Sequence, residues 1–169
     1  KTWEGQGGPG HWPDCDMLQI GKLSKRGPVG EERYSRFTED ELFTHITFWS
    51  IYRSPLMIGC NLPENREIER KLLTNDEVLA VNQTGQSPKQ LYKDDKSMVW
   101  YSIAPNHKGI YVALFNISDN NHDVSVDLSA LGFKGKTKIR DLWKHQALGN
   151  HEGTFAKKIN KHGAGLFLV

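Results

Sequence analysis

The stretch that decides the fold reads GPGHWPDCDMLQIG and occupies residues 8–21. Its first half carries too many glycines and prolines for a helix, which predicts a loop. The apolar run at residues 17–20, closed by Gly21, then predicts a short buried strand. Residues 22–37 are polar and broken by Gly27, Pro28 and Gly30, so a surface loop is expected to follow.

A capped helix is predicted to follow that loop. Thr38 and Glu41 form a capping box, and apolar or aromatic residues recur at helical spacing up to Arg53. Pro55 disfavours helical geometry at the residue before it, so the helix should end by Arg53. Residues 56–58 then predict a second buried strand.

Two shorter helices are predicted next, one over residues 65–72 and one that starts at a capping box from Thr74 to Glu77 and runs through Val81. Up to this point strands and helices alternate, which is typical of an α/β fold with a parallel sheet.

From about Gln83 the pattern changes to closely spaced strands. Alternation is clear at Val124, Val126 and Leu128, and turn residues separate the runs. The predicted strands cover residues 97–103, 109–117, 122–128, 136–141, 154–159 and 163–169. This spacing predicts an antiparallel β-sandwich over residues 84–169, joined through a polar linker at 84–90 to an α/β part over residues 1–83.

Composition excludes some functions. The net charge is only +2, from 22 basic and 20 acidic residues without a basic stripe, so nucleic acid is not an expected partner. No apolar run approaches the length of a membrane span, so no membrane partner is expected. The chain starts at Lys1 with its densest motif close behind, which suggests a piece of a longer protein whose address signal would lie upstream.

Asp14 and Asp16 form the densest cluster of potential chemistry, together with His11, Trp12 and Cys15. Glycosidases use two carboxyl groups, and residues two apart on an extended segment lie about 7 Å apart on one side. The two groups must however flank one sugar bond, and a single short strand does not surround its own substrate. A metal site fits no better, because hard oxygen and soft sulfur ligands are mixed. Asp14 is expected instead to accept backbone hydrogen bonds in its loop.

Other candidates favour structural roles. His45 and Trp49 lie on the apolar helix face, where a hydrogen-bonded core histidine and a core tryptophan are expected. His145 and His151 are expected in a solvated turn over residues 144–153. Four aromatic residues of the sandwich suit packing, although stacking on sugar in a carbohydrate-binding module stays open; they are Trp100, Tyr101, Tyr111 and Trp143.

Three ordered motifs resemble the glycoside hydrolase family of α-galactosidases and α-N-acetylgalactosaminidases. GPGHWPDCDMLQIG resembles the family's GGWNDPDMLEVG, and FTHITFWSIYRSPLMIGCNL resembles its HFSLWAILKAPLLIGCDL. LLTNDEVLAVNQ is similar to the family's ILTNKEVIAVNQ. The resemblance is strong over residues 8–83 and rests more on architecture over residues 84–169.

The resemblance implies the last elements of a (β/α)8 barrel followed by an antiparallel sandwich, and retaining hydrolysis of terminal α-linked galactose-type sugars. It assigns Asp16 and Met17 to substrate binding, and Trp12 and Asp14 to shaping the loop beneath the sugar. It implies no cofactor and no metal. The family's nucleophile and acid/base segments are absent from these residues and are expected upstream of residue 1, so the chain alone should be inactive.

Departures from the family pattern are His11, Pro13, Cys15 and Asn61, which leave the sugar open. Under the resemblance, Cys15 and Cys60 lie near the ends of neighbouring barrel strands, where free thiols are expected over a disulfide. The compartment is undetermined, and secreted, periplasmic or lysosome-like locations all suit the family.

Two other functions remain open, a non-catalytic carbohydrate-binding or structural module and a degenerate family member. Two strands cannot close an eight-stranded barrel. The chain is therefore expected either to self-associate or to pack its helices on the sandwich.

Overall fold

The computed structural model describes residues 4–24 and 30–169. Three helices lie in the first half of the chain: α1 (Glu39–Tyr52), α2 (Glu67–Leu73) and α3 (Asp76–Thr84). Two short strands precede them, and eight strands follow. The strands are β1 (Lys22–Leu23), β2 (Arg33–Tyr34), β3 (Gln86–Lys93), β4 (Ser97–Ile103), β5 (Ile110–Asn116), β6 (His122–Asp127), β7 (Thr137–Asp141), β8 (Gln146–His151), β9 (Thr154–Ile159) and β10 (Ala164–Leu168).

The two predicted barrel strands lie side by side in parallel and meet at a single bridge between Leu18 and Ile58. The Leu18 amide donates to the Met57 carbonyl (2.6 Å), and the Gly59 amide donates to the Leu18 carbonyl (3.1 Å). Helix α1 connects them, as a crossover between parallel strands requires. Together with the sandwich, this arrangement confirms the predicted fold class.

Burial differs between these two segments. Leu18 and Ile20 are fully buried, but Met57 and Ile58 are 60% and 43% exposed, so the prediction of a buried strand at residues 56–58 is wrong. Within residues 4–24 and 30–169, no helix or strand covers the side chains of Met57 and Ile58. The expected loop at residues 22–37 carries the small β1–β2 ladder; Gly27 and Pro28 lie outside the described residues.

Helix α1 follows its sequence signals. The Thr38 hydroxyl accepts the Glu41 amide (3.3 Å), and the Glu41 carboxylate accepts the Thr38 amide (2.8 Å), which confirms the capping box. The helix ends at Arg53, which adopts the left-handed conformation (φ 64°).

The second predicted capping box is wrong. Asn75, not Thr74, caps α3, because its side-chain oxygen accepts the Val78 amide at 3.0 Å. The Thr74 hydroxyl instead donates to the Arg70 carbonyl (2.8 Å) at the end of α2.

The sandwich is antiparallel throughout. Its larger sheet has the order β3-β4-β5-β10-β7-β8, and β6 pairs with β9 in the smaller one. Strands β3 and β8 contradict the linker expected at 84–90 and the turn expected at 144–153. Both are edge strands with largely exposed polar side chains, so the apolar alternation that reveals a strand is weak in them.

The two faces of the larger sheet bury different partners. Helix α1 packs on one face through residues such as Ile46, beside Phe115 and Leu166. The β6–β9 pair covers the other face, where Val124 and Val126 are buried as their alternation predicts. The helices thus pack on the sandwich, which is one of the two arrangements expected. Across the described ranges, no helix combines the length and hydropathy that a membrane span requires.

The sandwich aromatics serve packing. Trp100, Tyr111 and Trp143 are 6–8% exposed and belong to the core between the helices and the sheet. Tyr101 is partly buried against the other core. Rings as buried as those of Trp100, Tyr111 and Trp143 cannot stack on a sugar, so three of the four aromatics that suggested a carbohydrate-binding module serve packing.

Both histidines of the expected solvated turn contact other side chains, and only the partner of His145 is distant in sequence. His145 Nδ1 lies 2.9 Å from a carboxylate oxygen of Glu77 on α3. The His151 ring packs edge to face on Phe155, with centroids 5.0 Å apart.

Candidate functional site

The loop before the first barrel segment is held by its own backbone and one carboxylate. Gly8 and His11 exchange two backbone hydrogen bonds, of 2.7 and 2.9 Å. Asp14 Oδ1 accepts the Asp16 amide at 2.8 Å, which confirms that Asp14 accepts a backbone hydrogen bond. Of the two carboxylates considered as a catalytic pair, Asp14 is therefore engaged in shaping the loop.

Asp16 stands in the left-handed conformation (φ 73°), which Asp tolerates better than most residues. Its Oδ1 accepts the Met17 amide (2.6 Å), and its backbone carbonyl accepts the indole N–H of Trp49 (2.8 Å). The side chain is exposed. The peptide unit that follows Asp16 is consequently fixed at both of its polar groups.

Met17 is 49% exposed and lies over Gly59, the residue that ends the second barrel segment. A β-carbon at Gly59 would stand 2.7 Å from Met17 Sδ and 3.2 Å from the Leu18 carbonyl. The missing side chain at Gly59 therefore makes room for Met17. The sequence marks Gly59 only as a strand end, so this role was not predicted.

The Trp12 ring stacks on the guanidinium of Arg53. The guanidinium carbon lies 3.7 Å from the centroid of the Trp12 ring, within cation–π distance. The same guanidinium donates to the carbonyls of Asn82 (2.7 Å), Gln83 (2.8 Å) and Gly85 (2.7 Å) at the end of α3. Burial lowers the pKa of Arg53. Arg53 was predicted only as a helix end, yet it ties the loop to two helices.

Trp49 on α1 and Arg53 at its C-cap, one turn apart, thus support the loop, and His45 lies one turn before Trp49. The His45 and Trp49 rings stack with centroids 4.1 Å apart and planes 13° apart. Trp49 is partly buried against the core, as expected.

The prediction of a hydrogen-bonded core histidine is wrong for His45. Its Nε2 is buried and finds no hydrogen-bond partner among the described residues. Burial lowers the pKa of His45 to about 4, so the imidazole is neutral at pH 7.

Cys15 and Cys60 are free thiols, as predicted. The Cys15 amide donates to the Ser54 hydroxyl (2.9 Å), and the Cys60 thiol donates to the side-chain oxygen of Asn65 (3.2 Å). Burial raises the pKa of both thiols. Neither has the lowered pKa of a reactive cysteine.

This arrangement presents the exposed side chains of Asp16, a carboxylate, and Met17, a thioether, on a loop held by hydrogen bonds. Such groups can accept hydrogen bonds from hydroxyls and cover an apolar surface. The described ranges contain no group of three or more His, Cys, Asp or Glu side chains that could hold a metal ion.

Comparison with known proteins accounts for both parts of the chain. Residues 2–84 match the family described as Alpha galactosidase A, and residues 94–169 match the Alpha galactosidase C-terminal beta sandwich domain. The α-galactosidase of Cyamopsis tetragonoloba is 28% identical over 96% of this chain, and that of Oryza sativa is 28% identical over 99%.

Two solved structures resemble this fold closely. A GH27 β-L-arabinopyranosidase from Geobacillus stearothermophilus is 41% identical over 99% of this chain, with a TM-score of 0.93. A putative α-N-acetylgalactosaminidase from Bacillus halodurans is 34% identical over 99%, with a TM-score of 0.88.

The chain spans 37–38% of the length of those two α-galactosidases and 39–41% of the two solved chains. It thus matches the end of the barrel and the sandwich of longer enzymes. On these matches, the chain belongs to the α-galactosidase family of glycoside hydrolases.

Proposed function

We propose that this chain forms one wall of the sugar pocket in a retaining glycoside hydrolase that releases terminal galactose-type sugars. The observation that carries the proposal is the exposure of Asp16 and Met17, side by side, in a segment that matches the family. Residues 1–83 would contribute the last elements of the barrel, and residues 84–169 would form the sandwich that supports them.

Catalysis in such an enzyme needs two carboxyl groups on either side of the anomeric carbon. One attacks to form a glycosyl-enzyme intermediate, and the other protonates the leaving oxygen and then activates water. Asp14 and Asp16 are poorly placed for this pair, since Asp14 accepts a hydrogen bond within its own loop. The nucleophile and the acid/base group would therefore come from chain upstream of residue 1.

Asp16 would contribute a fixed carboxylate to that pocket. An ionised carboxylate only accepts hydrogen bonds, so it selects sugar hydroxyls that donate toward it. Met17 would lie against the apolar side of the sugar ring, and its thioether adapts to that surface. Trp12 and Asp14 would hold the loop beneath these two residues.

The relatives narrow the sugar to one stereochemical class. They include α-galactosidases and a β-L-arabinopyranosidase, of which a variant was solved in complex with arabinose. β-L-Arabinopyranose has the ring hydroxyl arrangement of α-D-galactose but lacks the hydroxymethyl group. We therefore expect the enzyme to take α-D-galactosides or β-L-arabinopyranosides, and the pocket around the hydroxymethyl position to choose between them.

The test is a chimera in which residues 1–169 replace the matching segment of the Geobacillus β-L-arabinopyranosidase. The chimera should hydrolyse an aryl β-L-arabinopyranoside or an aryl α-galactoside, while the isolated chain should hydrolyse neither. An aryl α-glucoside, which inverts one ring hydroxyl, serves as the control substrate.

Two results would contradict the proposal. One is a folded chimera, shown by circular dichroism and a cooperative melt, that is inactive on both sugars. The other is hydrolysis by the isolated chain, which would place the catalytic groups within it. If the full exchange does not fold, a smaller graft of residues 8–21 into the same enzyme asks the same question. Loss of activity in that folded graft would also count against the proposal.

A degenerate member that has lost activity is a further alternative. The sequence upstream of residue 1 distinguishes it from an active enzyme, because a degenerate member would lack one or both catalytic carboxylates there.

A further inference from the structure

We infer that Trp49 is a positioning residue of the sugar pocket, acting through the backbone of Asp16. The inference rests on the proposed function, because it assumes that Asp16 faces the sugar. Its basis is the hydrogen bond from the Trp49 indole N–H to the Asp16 carbonyl (2.8 Å), which joins residues 33 positions apart.

The peptide unit between Asp16 and Met17 is held at both polar groups. Its carbonyl accepts from Trp49, and its amide donates to Asp16 Oδ1 at 2.6 Å. Rotation of this unit would break both bonds at once. Oδ2 of Asp16 makes no hydrogen bond to any other described residue in the structure, so that oxygen is available to a ligand. The two bonds therefore set the direction in which the carboxylate and the Met17 side chain point.

Asp16 needs such a restraint because of its backbone. Its φ of 73° lies in the left-handed region, which is less favourable than the extended or helical regions for a residue with a side chain. Without the indole, the segment can relax toward an ordinary conformation. The exposed carboxylate would then leave its position in the wall.

Trp49 itself is held rigidly. His45 stacks on one side of it, with centroids 4.1 Å apart, and Phe48 contacts it edge to face at 6.0 Å. Helix α1 is anchored to the sandwich by fully or almost fully buried residues such as Leu42 and Ile46. The sandwich thereby supports the sugar wall through one helix and one indole.

The test uses Trp49→Phe in the active chimera described above. Phenylalanine keeps an aromatic ring beside His45 but has no N–H to donate. We expect kcat/KM to fall about threefold to tenfold, the size of one neutral hydrogen bond. Trp143→Phe is the matched control, because it removes an indole N–H that donates to the buried Thr47 hydroxyl (2.9 Å). That control should lower the melting temperature and leave kcat/KM within twofold.

A double-mutant cycle with Asp16→Asn separates positioning from general damage. Asparagine tolerates the left-handed backbone and lacks the charge. If Trp49 acts through Asp16, Trp49→Phe should cost less than twofold in the Asp16→Asn background. An undiminished effect in that background, or no effect in the parent, would overturn the inference.

The two proposals fail differently. If Asp16→Asn leaves kcat/KM unchanged in a folded, active chimera, the proposed sugar wall is wrong. If Asp16→Asn is impaired but Trp49→Phe is not, only the positioning role is wrong.

In the isolated chain, the Met17 methyl resonance should shift on Trp49→Phe and stay in place on Trp143→Phe. An unmoved Met17 signal would count against the inference whether or not the chimera folds.

Discussion

Removal of the Arg53 side chain should destabilise the chain and release Trp12. Arg53 donates to three carbonyls at the end of α3, at 2.7–2.8 Å, and its guanidinium lies 3.7 Å from the Trp12 ring centroid. The carbonyls that end a helix have no intrahelical partner and carry its negative dipole end. One side chain therefore supplies partners to α3 and a support for the loop.

The magnitude follows from these contacts. A hydrogen bond to a charged group contributes about 1.5–3 kcal/mol, and a cation–π contact at a partly exposed site about 0.5–1 kcal/mol. Water can replace much of this, because Arg53 is only partly buried. We expect Arg53→Ala to lower the free energy of unfolding by about 2–3 kcal/mol. Arg53→Lys keeps the charge but cannot reach three carbonyls, so about 1–2 kcal/mol is expected.

The backbone at this position provides a further control. Arg53 has a φ of 64°, a conformation that Gly adopts without strain and Ala does not. Arg53→Gly should therefore be about 1 kcal/mol more stable than Arg53→Ala, although both lose the same contacts.

Urea unfolding of the purified chain measures all three variants. With a slope of about 2 kcal/mol per molar urea, Arg53→Ala should shift the midpoint by about 1–1.5 M. Trp12 should also become more accessible to acrylamide quenching. A shift below about 0.3 M for Arg53→Ala, or Arg53→Lys equal to the parent, would refute the tie between the loop and the two helices.

Three further predictions concern pH and packing. Burial lowers the pKa of His45 to about 4 from 6.5, so the unfolded chain takes up a proton before the folded chain does, and stability should fall as pH drops from 6.5 to 4. His45→Phe should remove about 1–2 kcal/mol of that loss, and a His45 NMR titration midpoint near 6.5 would refute it. Arg140 lowers the pKa of Glu77, with a further contribution from His145, so this carboxylate stabilises the fold above pH 4.5 and loses that effect as pH falls through its folded value. Glu77→Gln should flatten the urea midpoint against pH below 4.5, and an unchanged slope would contradict the ion pair's role. Gly59→Ala should displace the Met17 side chain, raising KM severalfold in the chimera while the melting temperature changes by only a few degrees; an unchanged KM would argue against Met17 in the wall.

Local signals in the sequence were sufficient for several elements. The Thr38 capping box and Pro55 act within one turn of the residues they affect, and both ends of α1 follow from them. Val124 and Val126 lie on the buried face because side chains alternate along a strand. The candidate site at residues 8–21 rests instead on the resemblance of this motif to the family, and the role of Asp16 and Met17 stays a prediction.

Local signals failed where two neighbouring residues compete or where a strand has little to bury. Thr74 and Asn75 are both good helix caps, and the choice of Asn75 accompanies its side-chain hydrogen bonds to the carbonyls of Leu142 (3.1 Å) and Trp143 (3.3 Å). Strands β3 and β8 lie at the two edges of their sheet and keep polar side chains exposed. Their sequences therefore lack a clear apolar alternation and predict a loop.

The sequence by itself determined the order of elements, the capped helix, the alternating core strands and the motif that holds Asp16 and Met17. Only the tertiary structure decided how that motif is held. Trp49 reaches Asp16, Arg53 reaches Trp12, and Gly59 makes room for Met17, and each of these pairs joins residues far apart in the chain. The physical reason is that periodicity and capping report interactions within a few residues. The direction of an exposed carboxylate depends instead on which distant side chains the fold brings beside it.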